Sequence, residues 1–355
     1  MLDINIRKTN KSRIDEVDFD NLGFGEVFTD HMFSMDYEND EWTNPRIEPY
    51  GKIEFEPAMC TLHYAQSVFE GLKAFHVKDG SINIFRPEKN LQRMNKSNDR
   101  MCIPRIDSDM FFDAMSALIE LDRKWIPKKK GYSLYIRPIV FGTENFLGVH
   151  PSSTYRFMII LSPVGAYYKE GFNPVSLMVP EEYVRAVRGG VGEAKTSGNY
   201  AASLLPAEIA QEKGFTQVLW LDGVEHKYID EVGTMNIFFV IDDELITPPL
   251  EGTILEGITR DSAIQLARTW GMKVNERRIS IDEVIETSRQ NRLKGVFGTG
   301  TAAVISPVGE IQYKDININI NDGKIGPIAR RLFDEITNIQ YGEIPDEYGW
   351  IYKIS

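Results

Sequence analysis

One lysine in this chain lies in a setting suited to chemistry. Lys195 sits in Arg188-Gly-Gly-Val-Gly-Glu-Ala-Lys195-Thr-Ser-Gly-Asn-Tyr200, with glycines before and after it. Glycine lets a backbone approach a ligand closely. A lysine held there away from water loses basicity, and its neutral amine attacks a carbonyl to form a Schiff base. Taken alone, the segment reads more readily as a flexible loop with a solvated lysine. Two further segments change that balance. Leu255-Glu-Gly-Ile-Thr-Arg-Asp261 leads into an expected helix, whose first N–H groups make a seat for an anion. Phe297-Gly-Thr-Gly-Thr-Ala-Ala303 is a small-residue turn able to aim N–H groups and hydroxyls at another. Each alone is equally ordinary capping or turn chemistry. An amine and two anion seats together suit an aldehyde cofactor that carries a phosphate, which is pyridoxal phosphate. Such a cofactor needs an acid at its ring nitrogen to keep the ring an electron sink. Glu231, in Asp230-Glu-Val-Gly-Thr-Met-Asn236, is the candidate, although in isolation it reads as a solvated surface acid.

Rival chemistries lack their residues. There is no G-x-S-x-G elbow and no H-E-x-x-H. His31, His63, His76, His150 and His226 are scattered without ligand spacing, so no metal site is expected. A phosphate-loop lysine motif fails because Ala194, not glycine, precedes Lys195. Gly298-Thr-Gly-Thr-Ala-Ala303 matches a dinucleotide fingerprint, but Pro307 and Gly309 leave no room for the helix that fold requires. A protein that binds nucleotide or phosphate through these Gly-rich turns without catalysis is the non-enzymatic alternative.

Composition narrows the class. Lys and Arg number 40 against 52 Asp and Glu, a net charge of −12, which argues against nucleic acid as a partner. No run of apolar residues is long enough to span a membrane. The first residues are polar and acidic early, unlike a secretory signal or transit peptide, and the two cysteines, Cys60 and Cys102, show no pairing pattern. A cytoplasmic protein is expected.

The elements that must position these residues are legible in outline. A length of 355 residues suggests about two domains. The loop 165–174, with two Gly and a Pro between strand-like runs at 155–161 and 175–179, is the expected boundary between a small N-terminal domain (1–164) and a larger C-terminal one (175–355) that carries Lys195. In the first, strands are expected at 81–85 and 132–141, with helices at 87–101 and 108–124. In the second, a helix from 199 to 213 is expected to kink at Pro206. Strands at 217–221, 235–241 and 244–246, an apolar run at 294–308, and helices at 259–270 and 325–339 complete it. Strands and helices do not alternate cleanly, so the expected class is α+β.

Several segments together resemble one family. Glu193-Ala-Lys195-Thr-Ser-Gly-Asn-Tyr-Ala-Ala-Ser203, Glu231-Val-Gly-Thr-Met-Asn236 and Phe297-Gly-Thr-Gly-Thr-Ala302 resemble the branched-chain amino acid aminotransferases, which are fold-type IV pyridoxal-phosphate enzymes. Phe24-Gly-Glu-Val-Phe-Thr-Asp-His-Met32, Tyr64-Ala-Gln-Ser-Val-Phe-Glu-Gly-Leu-Lys-Ala-Phe75 and Tyr135-Ile-Arg-Pro138 resemble its substrate-side segments. The resemblance runs from about residue 24 to 339 and holds the family's order. The D-amino acid aminotransferases and aminodeoxychorismate lyases are the sister families, generally shorter and without these N-terminal segments.

The resemblance implies a two-domain fold-type IV architecture and a ping-pong exchange of the amino group between L-leucine, L-isoleucine or L-valine and 2-oxoglutarate. It implies Lys195 as the Schiff-base and proton-transfer residue. Arg93, in Asn90-Leu-Gln-Arg-Met94, would grip the cofactor phosphate together with Ile258, Thr259 and Thr301. Tyr200 would bond the ring's phenolic oxygen, and Glu231 would face its nitrogen, with Thr234 in support. Phe24, Phe69 and Tyr135 would line the apolar pocket. Tyr64, Thr301 and Ala302 would hold the substrate α-carboxylate, and Arg137 the side-chain carboxylate of glutamate or 2-oxoglutarate. A homodimer with sites between domains is implied, in which Leu147 and Val149 reach the partner's pocket. Ala303 and Ser306 stand where some animal members carry a Cys-x-x-Cys pair, so a thiol switch of that kind is not expected.

Overall fold

A computed structural model describes residues 2–165 and 172–355. The chain divides into two units. Unit 1 comprises Met1–Tyr167, Ala194–Ser197 and Asn338–Ser355; unit 2 comprises Tyr168–Glu193 and Gly198–Thr337. Most of the boundary loop expected at 165–174 falls outside the described residues. The second domain does not run to residue 355, because the strand Ile351–Ile354 pairs with Ile82–Phe85 in the sheet of unit 1.

Unit 1 is built on a nine-stranded sheet. Its spatial order is Asn5–Ile6, Glu41–Pro49, His31–Glu38, Tyr155–Val164, Ser133–Gly142, Leu72–His76, Ile82–Phe85 and Ile351–Ile354, with Ser67–Phe69 also paired to Ser133–Gly142. The period-2 alternation of side chains assigns its faces. Leu134 and Ile136, Phe157, Ile159 and Leu161, and Phe33 and Met35 point into one core. The helices Pro87–Arg100 and Ser108–Leu121 cover that face with Leu91, Met94, Phe111, Met115 and Leu118. The second helix starts as expected, its N-cap Asp107 accepting from the Asp109 N–H. Tyr135 and Arg137 alternate with the core residues, so they leave by the other face, and the strand that fills the core also presents a functional surface.

Unit 2 holds a second nine-stranded sheet, ordered Ile229–Val232, Gln217–Leu221, Val175–Met178, Val304–Tyr313, Leu293–Gly300, Asn236–Ile241, Glu244–Thr247 and Lys273–Glu276, with Ile316–Asn319 also paired to Val304–Tyr313. The apolar run at 294–308 is the hairpin Leu293–Gly300 and Val304–Tyr313, with Thr301 and Ala302 in its turn. The helix expected over 199–213 is two pieces, Ser197–Ala201 and Leu204–Glu212. The break lies before Pro206, not at it. Pro206 is the third residue of the second piece, where no N–H is needed for an intrahelical bond, so it starts a helix rather than bending one. In unit 2 a further α-helix was not anticipated. Ile281–Arg289 is capped by Ser280, whose side chain accepts from the Glu283 N–H. Two sheets with helices packed on them make the fold α+β, as the sequence suggests.

The C-terminal strand is a seam that can be tested. Trp350 and Ile354 are buried, Trp350 lies under Arg86 (5.0 Å), and the Arg86 N–H donates to the Trp350 carbonyl (2.6 Å). At roughly 2 kcal/mol for each large apolar side chain withdrawn from water, ending the chain at Gly349 is expected to cost unit 1 about 4 kcal/mol. Thermal melting with light scattering checks this; an unchanged melting temperature would contradict the role given to the strand.

Candidate active site

Lys195 owes its place to a short excursion of the chain. Ala194–Ser197 belongs to unit 1, although the segments on either side belong to unit 2. Within unit 1 it is tied at several points. The Lys195 N–H donates to Ser97 Oγ (2.9 Å), and the Phe69 N–H donates to the Lys195 carbonyl (3.1 Å). Thr196 Oγ1 donates to the Ser67 carbonyl (2.8 Å), and Ser67 Oγ donates to Ser197 Oγ (2.6 Å). The backbone is therefore fixed where the lysine side chain begins. Its Nζ stands 4.9 Å from the centroid of the Phe69 ring.

Glu70, the next residue after Phe69, is withdrawn completely from water. Arg93 grips it with two parallel bonds, Nε to Oε1 at 2.7 Å and Nη2 to Oε2 at 2.8 Å. Asn90 Nδ2 adds a third bond at 2.8 Å, and the Gly71 N–H a fourth at 3.2 Å. Burial alone would raise the carboxyl's pKa, but the charges of Arg93 and Lys195 and these bonds hold it below its usual value. Arg93 lies on the helix Pro87–Arg100, one turn from Ser97, so a single helix anchors both the guanidinium and the Lys195 backbone.

The expected pocket residues of unit 1 come together. Phe24 meets Tyr135 edge to face, with centroids 5.0 Å apart. The Arg137 guanidinium lies 4.7 Å from the Phe69 centroid and 5.2 Å from that of Tyr135, and its Nη2 donates to the Tyr135 hydroxyl at 3.0 Å. Arg137 Nε is buried and has no hydrogen-bond acceptor among the described residues. Tyr64 stands instead with Leu147: its hydroxyl donates to the Leu147 carbonyl, and Tyr64, Leu147 and Val149 are all exposed.

Unit 2 places its own set. Glu231 lies in the buried strand Ile229–Val232. Its Oε1 accepts from Asn236 Nδ2 at 2.8 Å, and Arg185 Nε is an ionic neighbour 2.5 Å from its Oε2. Asn236 Nδ2 also donates to the Leu255 carbonyl (2.9 Å), which leads into the helix Ile258–Thr269. Gly257 is that helix's N-cap, with no side-chain cap of its own. A Cβ there would lie 1.8 Å from Asn236 Oδ1, so only glycine admits this contact. Ile258 and Thr259 are buried in the helix's first turn, where N–H groups have no intrahelical acceptor. Tyr200 lies in the short helix Ser197–Ala201, where its carbonyl accepts from Ser203 Oγ at 2.8 Å. Thr234, in the turn after the Glu231 strand, is exposed.

Among the residues of these networks that had no role in the sequence reading, four pair with charged groups. Glu70, Asn90 and Asn236 lay inside segments singled out for other members, whereas Arg185 carried no local signal. Asp222 closes the turn before the Glu231 strand. Burial works against its charge, but the N–H groups of Glu225, Lys227, Tyr228 and Val224 hold it down to about 2. No group of three or more potential metal ligands occurs among the described residues.

Comparison with known proteins places this geometry in a family. The model of the aminotransferase class IV family matches residues 67–311. The chain belongs to the class IV aminotransferases. It is 56% identical over 335 residues to the branched-chain-amino-acid aminotransferase 2 of Bacillus subtilis, covering 94% of this chain and 92% of that one. The crystal structure of the Escherichia coli branched-chain amino acid aminotransferase superposes with a TM-score of 0.76 at 29% identity, covering 91% of this chain and 98% of that one. The T.th. branched-chain amino acid aminotransferase with pyridoxamine 5'-phosphate gives 0.74 at 28% identity, covering 90% and 97%.

Enzymes of this family use pyridoxal phosphate, and the residues present fit it. An aldehyde asks for an amine on a fixed backbone, which Lys195 is. A protonated ring nitrogen asks for a buried carboxylate, which Glu231 is. A phosphate asks for a helix N-terminus, which Gly257, Ile258 and Thr259 make.

Asp230, beside Glu231, gives a test of the electrostatics. Burial pushes its carboxyl up from 3.8 to about 6, against the Thr253 hydroxyl and the Arg185 charge. A carboxyl raised by folding weakens the fold as pH climbs from the unfolded value through the folded one. Relative to wild type, D230N is therefore expected to gain roughly 3 kcal/mol between pH 4 and pH 7, at about 1.4 kcal/mol per pKa unit. Urea melts at the two pH values measure it; a pH-independent difference would refute the assignment.

Proposed function

We propose that this enzyme is a branched-chain L-amino acid aminotransferase. It moves the amino group between L-leucine, L-isoleucine or L-valine and 2-oxoglutarate in two half-reactions that use the same residues. The observation that carries the reading is the aromatic wall of unit 1 with Arg137 laid across it. Phe24, Phe69 and Tyr135 give an aliphatic chain an apolar surface, at about 0.8 kcal/mol for each CH₂ buried. The Arg137 guanidinium meets the distal carboxylate of 2-oxoglutarate, and its buried Nε, which has no acceptor among the described residues, suits that exchange. An apolar side chain leaves the same guanidinium on its aromatic neighbours, where the cation–π contact keeps it satisfied.

When bound, pyridoxal phosphate supplies an aldehyde carbon for the amino group and a ring that accepts electron density. Lys195 would hold it through Nζ, and the same nitrogen, as a neutral amine, would take and return the substrate α-proton. Arg93, the Ile258 and Thr259 N–H groups and Thr301 hold the phosphate. Tyr200 bonds the phenolic oxygen, and Glu231 keeps the ring nitrogen protonated, with Thr234 supporting its turn. Tyr64, Thr301 and Ala302 hold the substrate α-carboxylate.

The functional unit is a homodimer of the cytoplasm in this reading. Leu147 and Val149, both exposed, reach the partner's pocket. Cys60 and Cys102 are free thiols, which suits a reducing compartment. No helix among the described residues is long and apolar enough to cross a membrane.

Visible absorbance tests the activity. L-Leucine is expected to bleach the band of the purified holoenzyme, and 2-oxoglutarate to restore it. A band unmoved by L-leucine but bleached by D-alanine would assign the enzyme to a sister family. Arg137→Ala tests the dual pocket. Loss of a charged hydrogen-bonded pair, worth up to about 3 kcal/mol, is expected to lower kcat/KM for 2-oxoglutarate about 100-fold. The L-leucine half-reaction should change by less than about 10-fold. Equal losses on both sides would remove Arg137 from the role.

A further inference from the structure

We propose that Arg185 is a positioning residue of the reaction, which fixes Glu231 as an ionised carboxylate in the orientation the cofactor ring needs. The inference rests on the reading of Glu231 as the ring-nitrogen carboxylate. It concerns a residue that no sequence motif pointed to.

Three observations carry it. First, Glu231 is 3% exposed, and a carboxylate so buried stays charged only with a partner. Arg185, only 10% exposed at its side chain, supplies that charge, its Nε 2.5 Å from Glu231 Oε2. Second, Arg185 is itself built into place. Its Nη2 donates to the carbonyls of Gly192 (2.8 Å) and Thr253 (2.5 Å), so the guanidinium is anchored to two backbone segments before it meets Glu231. Gly192 permits this anchorage, because a Cβ there would stand 2.6 Å from the Thr253 carbonyl oxygen. Nε has no hydrogen-bond acceptor among the described residues, so its contact with Glu231 is one of fixed charge rather than a directed bond. Third, the neighbouring carboxyl acts as an internal control. Asp230 lies in the same strand, with the Thr253 hydroxyl as its nearest aid and Arg185 as a more remote charge, and burial raises it to about 6. Glu231 has Arg185 at contact and Asn236 besides.

A charge held beside the carboxylate also sets its direction. Asn236 fixes Oε1 and Arg185 faces Oε2, so the carboxylate plane is defined from both sides. Glu231 thus presents to the ring nitrogen an anion that needs no reorganisation when the ring gains electron density.

The test is a double-mutant cycle with R185M, R185K, E231Q and R185M/E231Q. Three quantities are measured for each: melting temperature of the cofactor-free protein, affinity for added pyridoxal phosphate, and the rate of the L-leucine half-reaction. Loss of such a supporting contact typically costs 10- to 100-fold, so R185M is expected to slow the half-reaction by about that factor. In the E231Q background the same substitution should cost less than about 3-fold, since Arg185 acts through the charge that E231Q removes. R185K, which keeps a charge but not the fork, should recover part of the rate. In the cofactor-free protein R185M should lower the melting temperature, and adding E231Q should recover it, because the unpaired buried charge is then gone. A loss of equal size in both backgrounds overturns the proposal: Arg185 then acts only by bracing Gly192 and Thr253. If R185M alone does not fold, the comparison of R185M/E231Q with E231Q decides in the same way. E231Q that leaves rate and affinity unchanged would instead overturn the reading of Glu231 itself.

Discussion

A carboxylate removed from water dominates whatever surrounds it. Glu70 has no exposed surface, so its charge survives because Arg93, Asn90 and the Gly71 N–H surround it and the Lys195 charge adds to theirs. Breaking such a pair typically costs 3–5 kcal/mol, about as much as a whole small core contributes beyond marginal stability. That constraint organises unit 1. It sets the rotation of the helix Pro87–Arg100, since Asn90 and Arg93 must both face the strand end at Glu70. Once the helix is set, Ser97 lies one turn on and receives the Lys195 N–H. The position of the reactive amine is thus inherited, through a helix and one hydrogen bond, from the need to pair a buried acid.

Unit 2 solves the same problem with different parts. Its buried acid, Glu231, sits in a strand rather than at the end of one, and its cation comes from a loop rather than a helix. A loop guanidinium needs external bracing, which the carbonyls of Gly192 and Thr253 provide. The glycines of this region therefore have a structural reading that does not depend on a ligand. Gly192 clears space for the Thr253 carbonyl, and Gly257 clears space for Asn236. Asn236 then links the acid to the loop that starts the helix Ile258–Thr269, so the acid and the helix N-terminus hold a fixed spacing within the unit.

What was legible in the sequence follows from these physics. Lys195, Glu231 and two candidate anion seats could be singled out because they sit among glycines in short runs. The aromatic cluster of Phe24, Phe69 and Tyr135 was picked out by family likeness, and 132–141 was expected as a strand without its two faces being assigned. The partners were not visible. Asn90 is twenty residues from Glu70 and Arg185 forty-six from Glu231; pairs at such separations are chosen by tertiary contact, and a single sequence does not encode which acid meets which base. The helix Ile281–Arg289 is a different kind of miss. Ser280-Ile-Asp-Glu283 is a capping box that local reading can find, and the apolar neighbours Ile279 and Ile281 hid it. Pro206 was misplaced because a proline breaks a helix only where its missing N–H is needed, and the register of the helix decides that.

The aromatic wall shows why the chemistry needs supports that look remote from it. Tyr135 and Arg137 are two residues apart on one strand, so they share a face, and their intervening neighbour Ile136 is buried in the core. The core therefore fixes both of them through one strand. Phe24 has no such strand and is held by its edge-to-face contact with Tyr135. Under the proposed function, a substrate that displaces Phe24 disturbs a loop residue whose edge-to-face contact is of order 1 kcal/mol, whereas one that displaces Tyr135 must disturb the sheet. Adaptation to side chains of different size is expected to fall on Phe24, and recognition of charge on the rigid pair of Tyr135 and Arg137. Under the proposed function, this division between a yielding apolar wall and an unyielding cation lets one pocket serve both an aliphatic chain and a carboxylate.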